Sequence, residues 1–392
     1  MKREPCRSTT PPDDCNKVNS EFIRIFQGHL FSAGGLFYCY TIMSEKDFTP
    51  ISELSRYHVI RNIQTIVSKS EPDLAHVVHG IGDDSAVIRS AGQSALRLST
   101  SETYVEGVDF DLTYTPLQHI GYKLVSAAIS DIFAMNGIPE SMLVNIALPN
   151  KISNEMITLF FEGIARASRV YACPLVGGDI TASAAGLVIS ISINGSAHEQ
   201  TICYRSGAKV NDALCVTGDL GGAFAGLKIL LREKKFWVEN GAGREFQPEL
   251  DDYDYVVRRQ LVPQARNHLI NVLGQQGITP TSMIDISKNL LRDTMQLTQA
   301  SGVGVKLYSG AIPIALETRA VADEFEEDVD QYALQGGEDY ELLFTLPEDD
   351  VNRLVEHFKD FVVIGKILPR SKGMQMQTAD GNTLHFDTSD ME

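Results

Sequence analysis

Residues 121–137 read GYKLVSAAISDIFAMNG, and this stretch says most about the fold of the chain. Thr115 can cap a helix here, Pro116 suits its first position, and Gly137 can end it. The pattern of a helix continues from Pro116 through Met135. Asp131 lies on its apolar stripe, so we expect this carboxylate to point into the protein.

The segments on either side predict an α+β fold. Further helices are expected at 53–66 and 154–171, and LVISISIN at 187–194 alternates with the period of a strand. A glycine-rich turn at 218–222 leads into another helix, and 234–255 has the polar composition of a loop. Helix-length and strand-length segments alternate without the strict rhythm of a Rossmann fold, which favours the α+β class.

The chain is predicted to contain two domains after an N-terminal tail. The first 42 residues match nothing downstream, and Met43 is a plausible natural start, so they are expected to be a disordered tail or a misassigned start. A change of character near 195–200 predicts a domain boundary at about residue 197. The expected segments are the tail (1–42), an N-terminal domain (43–197) and a C-terminal α+β domain (198–392).

Composition and charge exclude several classes of protein. The chain has 392 residues and a formal net charge of −17, which argues against a nucleic-acid binder, since such a protein needs a basic surface. Its most apolar N-terminal stretch, 22–43, carries Arg24 and a Gly34-Gly35 break, so no membrane span is predicted. The six cysteines form no C-x-x-C pair, which indicates free thiols in the reducing cytoplasm.

Acidic residues embedded in apolar sequence are the main functional signal. A lone buried carboxylate costs several kcal/mol unless it is paired, protonated or bound to metal. Any one of them has an ordinary explanation, such as a helix cap, an arginine partner or a turn. A recurring set instead indicates Mg²⁺, which prefers carboxylate oxygens together with substrate phosphates, and hence phosphoryl transfer. The residues are Asp83-Asp84, Asp131, Asp179, Asp285 and Glu338-Asp339.

Two glycine-rich segments are candidate phosphate loops. Gly177-Gly178-Asp179 is the stronger one, because glycine lets backbone N–H groups approach a phosphate while the aspartate holds a metal. The turn at 218–222 lacks the G-x-x-x-x-G-K-[ST] pattern, and a tight turn explains it equally well. Arg205 is either a phosphate clamp or a solvated surface charge.

Seven motifs in a fixed order resemble the thiamine-monophosphate kinases of the aminoimidazole-ribonucleotide-synthetase-like superfamily. The resemblance covers roughly residues 51–370, and the ordered set is far more specific than any one motif. The motifs are GIGDDSAV (80–87), VEGVDFDL (105–112), GYKLVSAAISDIFAMNG (121–137), LVGGDIT (175–181), YRSGAK (204–209), MIDIS (283–287) and GGEDYELLFT (336–345).

The resemblance implies ATP-dependent phosphorylation of thiamine monophosphate to thiamine diphosphate, with direct transfer of the γ-phosphoryl group. It also implies a cytoplasmic homodimer that pairs through its N-terminal sheets and binds ATP and several Mg²⁺ ions, with no nucleic acid or membrane partner. The implied metal ligands are Asp84, Thr100, Ser101, Glu102, Asp131, Asp179 and Asp285. The implied nucleotide contacts are Gly178, Asp179, Arg205 and Ser287, and Asp109 and Glu338 match positions near the thiamine phosphate.

Several positions depart from the family pattern. Glu102 stands where the family has aspartate, and Asp109 stands where it has histidine. Lys288-Asn289 replaces an aspartate-glycine pair, which exchanges a metal-binding carboxylate for a cation. These changes leave two alternatives to a working kinase: a catalytically impaired nucleotide-binding paralogue with a binding or regulatory role, and a member of the superfamily with a different acceptor.

Overall fold

Two β-sheets with helices packed on them form the fold, as seen in a computed structural model. The structure describes Leu54 and residues 56–70, 76–89, 95–241 and 248–386. The predicted tail, 1–42, lies outside the described residues. The described residues from Arg56 to Phe386 belong to one compact unit. None of the helices in the described ranges is long and apolar enough to cross a membrane.

The first sheet is built from six strands. They are β1 (Val77–His79), β2 (Ala86–Arg89), β3 (Ala95–Val105), β4 (Ile138–Leu148), β5 (Leu175–Ala182) and β6 (Val188–His198). Their order across the sheet is β1-β2-β3-β6-β4-β5, and β4 and β5 are the parallel pair. Every second residue of β6 is buried, which confirms the period-two pattern predicted there.

Three helices accompany this sheet: α1 (Arg56–Ser70), α2 (Leu117–Ala134) and α3 (Asn154–Tyr171). All residues of α2 except Gln118 and His119 are buried, and Asp131 is among the buried ones, as predicted. The helix packs on β3 and β6. Its cap residue is Pro116, and no side chain caps it, so the cap predicted at Thr115 is wrong.

Glycine allows α2 and α3 to approach closely. A Cβ atom on Gly121 would lie 2.2 Å from the carbonyl oxygen of Phe160, and one on Gly163 would lie 1.9 Å from that of Gln118. Both distances are shorter than any real contact, so only glycine fits at this crossing. The crossing fixes α2, and with it Asp131, against the rest of the domain.

The second sheet has seven strands: β7 (Ala213–Thr217), β8 (Ser282–Asp285), β9 (Gly304–Tyr308), β10 (Leu342–Leu346), β11 (Phe361–Leu368), β12 (Met374–Gln377) and β13 (Thr383–Phe386). Their order is β13-β12-β9-β11-β7-β10-β8, with β9 and β12 parallel. The helices that follow the first sheet are α4 (Gly222–Glu239), α5 (Asp254–Leu261), α6 (Asn267–Gln276), α7 (Leu290–Ser301), α8 (Leu316–Glu324), α9 (Val329–Gln335) and α10 (Glu348–His357).

The two sheets confirm the α+β class. Helix α4 continues to Glu239 and α5 begins at Asp254, so the loop predicted at 234–255 is wrong at both ends. Helix α2 contacts β8 of the second sheet as well as the first sheet, and one hydrophobic core cluster includes residues of both. The domain boundary near residue 197 lies at the end of β6 and stays a prediction.

Candidate active site

Three aspartates from distant parts of the chain meet where α2 contacts the second sheet. Asp84 precedes β2, Asp131 lies in the last turn of α2, and Asp285 ends β8. Carboxylate oxygens from the three residues lie within 4.8 Å of one another, and all three residues are buried. We call them the aspartate triad. Their convergence follows from the placement of α2 between the two sheets.

The triad is electrostatically unfavourable by itself. Burial, reinforced by neighbouring carboxylates, raises the pKa of Asp131 and of Asp285 well above the usual range. Burial also raises the pKa of Asp84, although Arg205 opposes this shift. Among the described residues, no hydrogen-bond donor contacts Oδ2 of Asp84 or Oδ2 of Asp285. A close group of carboxylate oxygens with unpaired atoms fits Mg²⁺, a hard cation that oxygen ligands bind.

Arg205 is the cation beside the triad. Its Nε lies 3.2 Å from Oδ1 of Asp84, which its Nη2 also contacts, and its Nη1 donates to Gln296 at 2.9 Å. Its backbone N–H donates to Asp83 at 3.1 Å. Burial, together with the charge of Asp84, raises the pKa of Asp83 to about 7. One guanidinium group therefore serves a group of four carboxyl groups, and their raised pKa values indicate that the site lacks positive charge.

Strand β3 brings further oxygen donors to the triad. The hydroxyl of Thr100 donates to Asp131 Oδ2 at 2.6 Å. Glu102 lies on the same side of the strand. Burial is the main cause of the raised pKa of Asp131, and the charge of Glu102 contributes to it. Ser101 faces the other side, where its hydroxyl accepts a hydrogen bond from Ser192 at 3.2 Å. The side chain of Ser101 is therefore directed away from the triad.

A cavity of about 270 Å³ lies where β3 ends. Tyr104, two residues beyond Glu102, lines it together with Phe110 and Tyr114. Its charged lining residues are Asp109, Asp111, Lys123 and Glu338. The cavity therefore combines aromatic rings with an excess of carboxylates.

The carboxylates of the cavity differ in their partners. Asp111 pairs with Lys234 at 2.6 Å, and Glu338 pairs with Lys123 at 3.0 Å. Asp109 accepts a hydrogen bond from the backbone N–H of Val105 at 2.8 Å, and no lysine or arginine of the described ranges forms an ion pair with it. The cavity thus keeps one carboxylate available to a cationic ligand.

Glu338 is held by charged and polar neighbours. Gln260 donates to its Oε2 at 3.2 Å, in addition to Lys123. Burial by itself would raise the pKa of Glu338, but Lys123, Gln260 and the more distant charge of Lys288 reverse this effect and lower it. Glu338 is therefore ionised at neutral pH.

A strained turn joins Glu338 to the strand that carries Asp285. Glu338 has a positive φ of 58°, a conformation that costs a non-glycine residue about 1–3 kcal/mol and is concentrated at functional sites. Its backbone N–H donates to the carbonyl of Ser287 at 3.0 Å, and that of Tyr340 donates to Ile286 at 2.9 Å. The cavity residue and the predicted nucleotide contact Ser287 are therefore held against each other.

Two predicted site residues, Gly178 and Asp179, lie apart from the triad. Asp179 is exposed on the edge strand β5, with β4 and β6 between it and β3, which corresponds to a separation of about 14 Å from β3. Gly178 precedes it with a φ of 156°, and a Cβ there would lie 1.8 Å from the carbonyl oxygen of Val144. The fold itself requires this glycine, so its presence alone does not indicate a phosphate site.

Sequence reasoning missed two buried charges near these groups. Lys123 lies in the motif at 121–137, and the feature that could have identified it is a lysine inside an otherwise apolar helix. Asp293 is 1% exposed and accepts the backbone N–H groups of Lys288 and Asn289 at 3.0 and 3.1 Å. Burial, opposed by these hydrogen bonds, raises its pKa to about 7. Asp293 therefore holds the turn that follows Ser287.

A second buried acidic group lies near the turn at 218–222. Asp339 accepts the backbone N–H groups of Gly221 and Ala223 at 2.8 and 3.3 Å, so the protein's own carboxylate closes the N-terminus of α4. A phosphate therefore has no place at this turn. Glu341 accepts hydrogen bonds from Arg259 at 2.8 Å, from Thr217 at 2.6 Å and from Arg266. We call Asp339, Glu341, Arg259 and Arg266 the arginine-paired group.

Comparison with known proteins identifies the family. A model of the AIR synthase related protein N-terminal domain matches residues 82–197. A thiamine-monophosphate kinase of Aquifex aeolicus is 32% identical over 288 residues, which are 73% of this chain and 86% of the relative. A thiamine-monophosphate kinase of Bacillus subtilis is 31% identical over 274 residues, which are 69% of this chain and 78% of the relative. A solved structure of AaThiL complexed with AMPPCP and TMP matches with a TM-score of 0.72 and 28% identity, over 87% of this chain and 98% of that chain. The chain belongs to the thiamine-monophosphate kinase family.

Proposed function

We propose that this protein phosphorylates thiamine monophosphate to thiamine diphosphate, using ATP and passing its γ-phosphoryl group directly to the substrate phosphate. The observation that carries the proposal is that two elements, β3 and α2, each carry residues at the aspartate triad and residues that line the aromatic cavity. Family membership supports it, as does the likeness to a structure that holds an ATP analogue and thiamine monophosphate. Catalysis would rest on positioning and charge neutralisation, as is usual for phosphoryl transfer.

Two elements span the distance from the triad to the cavity. On β3, Thr100 contacts Asp131 of the triad and Tyr104 lines the cavity, about 13 Å along the strand. On α2, Asp131 and the cavity residue Lys123 are eight residues apart, which is about 12 Å along the helix. A row of phosphates can lie along this path, with the donor near the triad and the acceptor in the cavity.

We propose that Asp84, Asp131 and Asp285 hold Mg²⁺, with Thr100 and Glu102 close by. The unpaired oxygens of Asp84 and Asp285 favour this assignment. Bound Mg²⁺ would supply neutralisation of the charge on the nucleotide phosphates. Ser101 and Asp179 stay predicted ligands, and Gly178, Arg205 and Ser287 stay predicted nucleotide contacts.

The lining of the cavity suits a ligand that is both aromatic and cationic. Tyr104, Phe110 and Tyr114 offer ring faces, and such faces attract cations. Asp109 adds a carboxylate without a cationic partner among the described residues. The thiazolium ring of thiamine has both properties. We therefore propose that Asp109, which replaces the histidine of the family, faces the thiazolium side of the acceptor.

The replaced residues have structural roles that are compatible with activity. Asn289 accepts the backbone N–H of Arg292 at 2.8 Å and so caps α7. Lys288 is exposed. Burial raises the pKa of Glu338, and the charge of Lys288 adds to the stronger effect of Lys123, which lowers it. We propose that Lys288 contacts a phosphate where the family has a metal-binding carboxylate.

We also propose that the protein is a cytoplasmic homodimer that pairs through the first sheet. Its edge strand β5 is exposed along its whole length, and Val176 and Ile180 are each 62% exposed. An edge strand with apolar side chains is a ready partner for another chain. Sedimentation of the wild type and of Ile180→Lys tests this, because a charge on that strand should leave a monomer. A wild type that sediments as a monomer would contradict it.

The decisive test of the function is formation of thiamine diphosphate by the purified protein with ATP, Mg²⁺ and thiamine monophosphate. We expect repeated turnover that stops when EDTA removes the metal. A folded protein that binds Mg-ATP without forming product would favour the impaired paralogue. Binding of Mg-ATP with no affinity for thiamine monophosphate would favour a different acceptor.

A further inference from the structure

Lys123 is a buried cation whose hydrogen-bonding capacity is only partly used. It lies on α2, is 6% exposed, and its Nζ donates to Oε2 of Glu338 at 3.0 Å. An ammonium group has three N–H donors, and Glu338 is the acceptor found for them among the described residues. Buried donors are almost always satisfied in native proteins. Because Lys123 lines the cavity, a bound molecule can accept from the remaining donors.

The charges of the cavity make Lys123 distinctive. Within the described part of the chain, it is the basic residue that lines a cavity otherwise charged by Asp109, Asp111 and Glu338. A phosphate entering this cavity would be repelled by the carboxylates, and Lys123 is the lining residue that would attract it. A charge-assisted hydrogen bond to phosphate is among the stronger polar contacts that proteins make.

The position of Lys123 along α2 also suits the acceptor phosphate. It lies at the cavity end of the path, about 12 Å along the helix from Asp131 of the triad. A metal at the triad would neutralise the phosphates of the donor, which leaves the acceptor phosphate in need of a separate cation. Lys123 is placed to supply it.

We propose that Lys123 binds the phosphate group of the acceptor and gives the site its preference for thiamine monophosphate over thiamine. This inference rests on the proposed function. On substrate binding, the ammonium keeps one contact with Glu338 and uses its other donors for the phosphate. It thereby lowers the repulsion between the acceptor phosphate and the incoming γ-phosphoryl group.

Calorimetric binding of thiamine monophosphate and of thiamine to the wild type and to Lys123→Met tests the proposal. The ratio of the two affinities isolates the phosphate, since both ligands share the rings. We expect Lys123→Met to reduce the ratio by about tenfold or more. The matched control is Lys228→Met, which removes a lysine that is paired with Glu327 at 2.6 Å, and since neither residue lines the cavity it should keep the wild-type ratio.

Lys123→Met leaves Glu338 without its cationic partner and can therefore fail to fold. Two further variants test the proposal in that case. Lys123→Arg keeps the charge and should retain most of the preference. Glu338→Gln frees the ammonium and should keep or increase the preference, although both ligands can bind more weakly. Equal weakening of both ligands by Lys123→Met, or loss of the preference in Glu338→Gln, would overturn the proposal. A wild type that binds neither ligand would instead contradict the proposed function itself.

Discussion

The aspartate triad and the arginine-paired group are both buried acidic clusters, but they are neutralised differently. Around Asp339 and Glu341, two arginines, a threonine and two backbone N–H groups donate to the carboxylate oxygens. Around the triad, Arg205 and Thr100 donate to carboxylate oxygens and Ser130 lies close to Asp285, while Oδ2 of Asp84 and Oδ2 of Asp285 have no partner among the described residues. In the arginine-paired group the unpaired buried atoms are donors, Nε of Arg259 and Nε of Arg266, whereas in the triad they are carboxylate oxygens, so the triad is the cluster that lacks positive charge.

This difference shows what separates a structural carboxylate from a ligand-binding one. Both kinds lie in apolar sequence and both are buried, so burial alone does not identify a site. Unpaired oxygens within a close group of carboxylates do, because leaving them unpaired is costly unless something outside the chain supplies the partner. The following predictions test whether the two clusters separate in this way.

The largest expected effect is on turnover in Asp285→Asn. Removing one metal-facing charge should lower the rate of thiamine diphosphate formation by about a hundred- to a thousandfold. The melting temperature without metal should stay the same or rise, because the substitution relieves repulsion with Asp84. Steady-state assays and thermal unfolding measure both effects. Wild-type turnover in this variant would remove the triad from the site.

Glu341→Gln should have the opposite effects to Asp285→Asn: it should lower stability and leave Mg²⁺ binding unchanged. It removes the carboxylate that both Arg259 and Arg266 contact and leaves them Asp339 and Asp360 as partners, so we expect a loss of about 1–3 kcal/mol in the free energy of unfolding. Equilibrium denaturation in urea measures it. Binding of Mg²⁺ by the folded fraction should be unchanged. If the variant lost Mg²⁺ binding but kept its stability, the distinction between the two clusters would fail.

Mg²⁺ should stabilise the protein through the triad alone. At a concentration a hundredfold above its dissociation constant, a ligand adds about 2.7 kcal/mol to the stability of the state that it binds. The melting temperature of the wild type and of Glu341→Gln should therefore rise by several degrees with Mg²⁺. That of Asp285→Asn should rise much less. An equal rise in all three proteins would indicate binding elsewhere.

The smallest expected effect is a pH dependence of the metal-free protein. The pKa values of the triad and of Asp83 are raised by burial above about 4, the value for an unfolded aspartate, so the folded state holds extra protons. These protons stabilise the folded state at low pH. The stabilisation is lost as the pH rises through the pKa of the folded state, which for Asp83 is about 7. From about pH 6 to about pH 8, the wild type should lose more stability than Asp285→Asn, which lacks one of the carboxyl groups with a raised pKa. Urea denaturation in EDTA measures this, and a stability that rises over the same interval would contradict it.

Much of the fold was predictable because its cues are local in sequence. The apolar run at 121–137 and the alternation at 187–194 gave correct elements, since helix and strand periods depend only on neighbouring residues. The loop predicted at 234–255 failed because its polar residues occupy the exposed side of α4, where composition resembles that of a loop.

The site was predictable only in part. Asp84, Asp131 and Asp285 were selected correctly as buried acidic residues, and the structure brings them together. Ser101 and Asp179 were selected from the same motifs, but one side chain faces across β3 and the other lies on β5, away from the triad. Which side of a strand faces a distant helix depends on packing, and no short motif contains that information.

The sequence by itself therefore determined the elements of the fold, the family and the set of acidic residues worth testing. Only the tertiary structure separated Asp285, with an unpaired oxygen, from Glu341, which two arginines neutralise. It also placed Lys123 against Glu338, a pair that is distant in sequence. The physical reason is that the energy of a buried charge depends on its neighbours in space, and a short segment of sequence does not specify them.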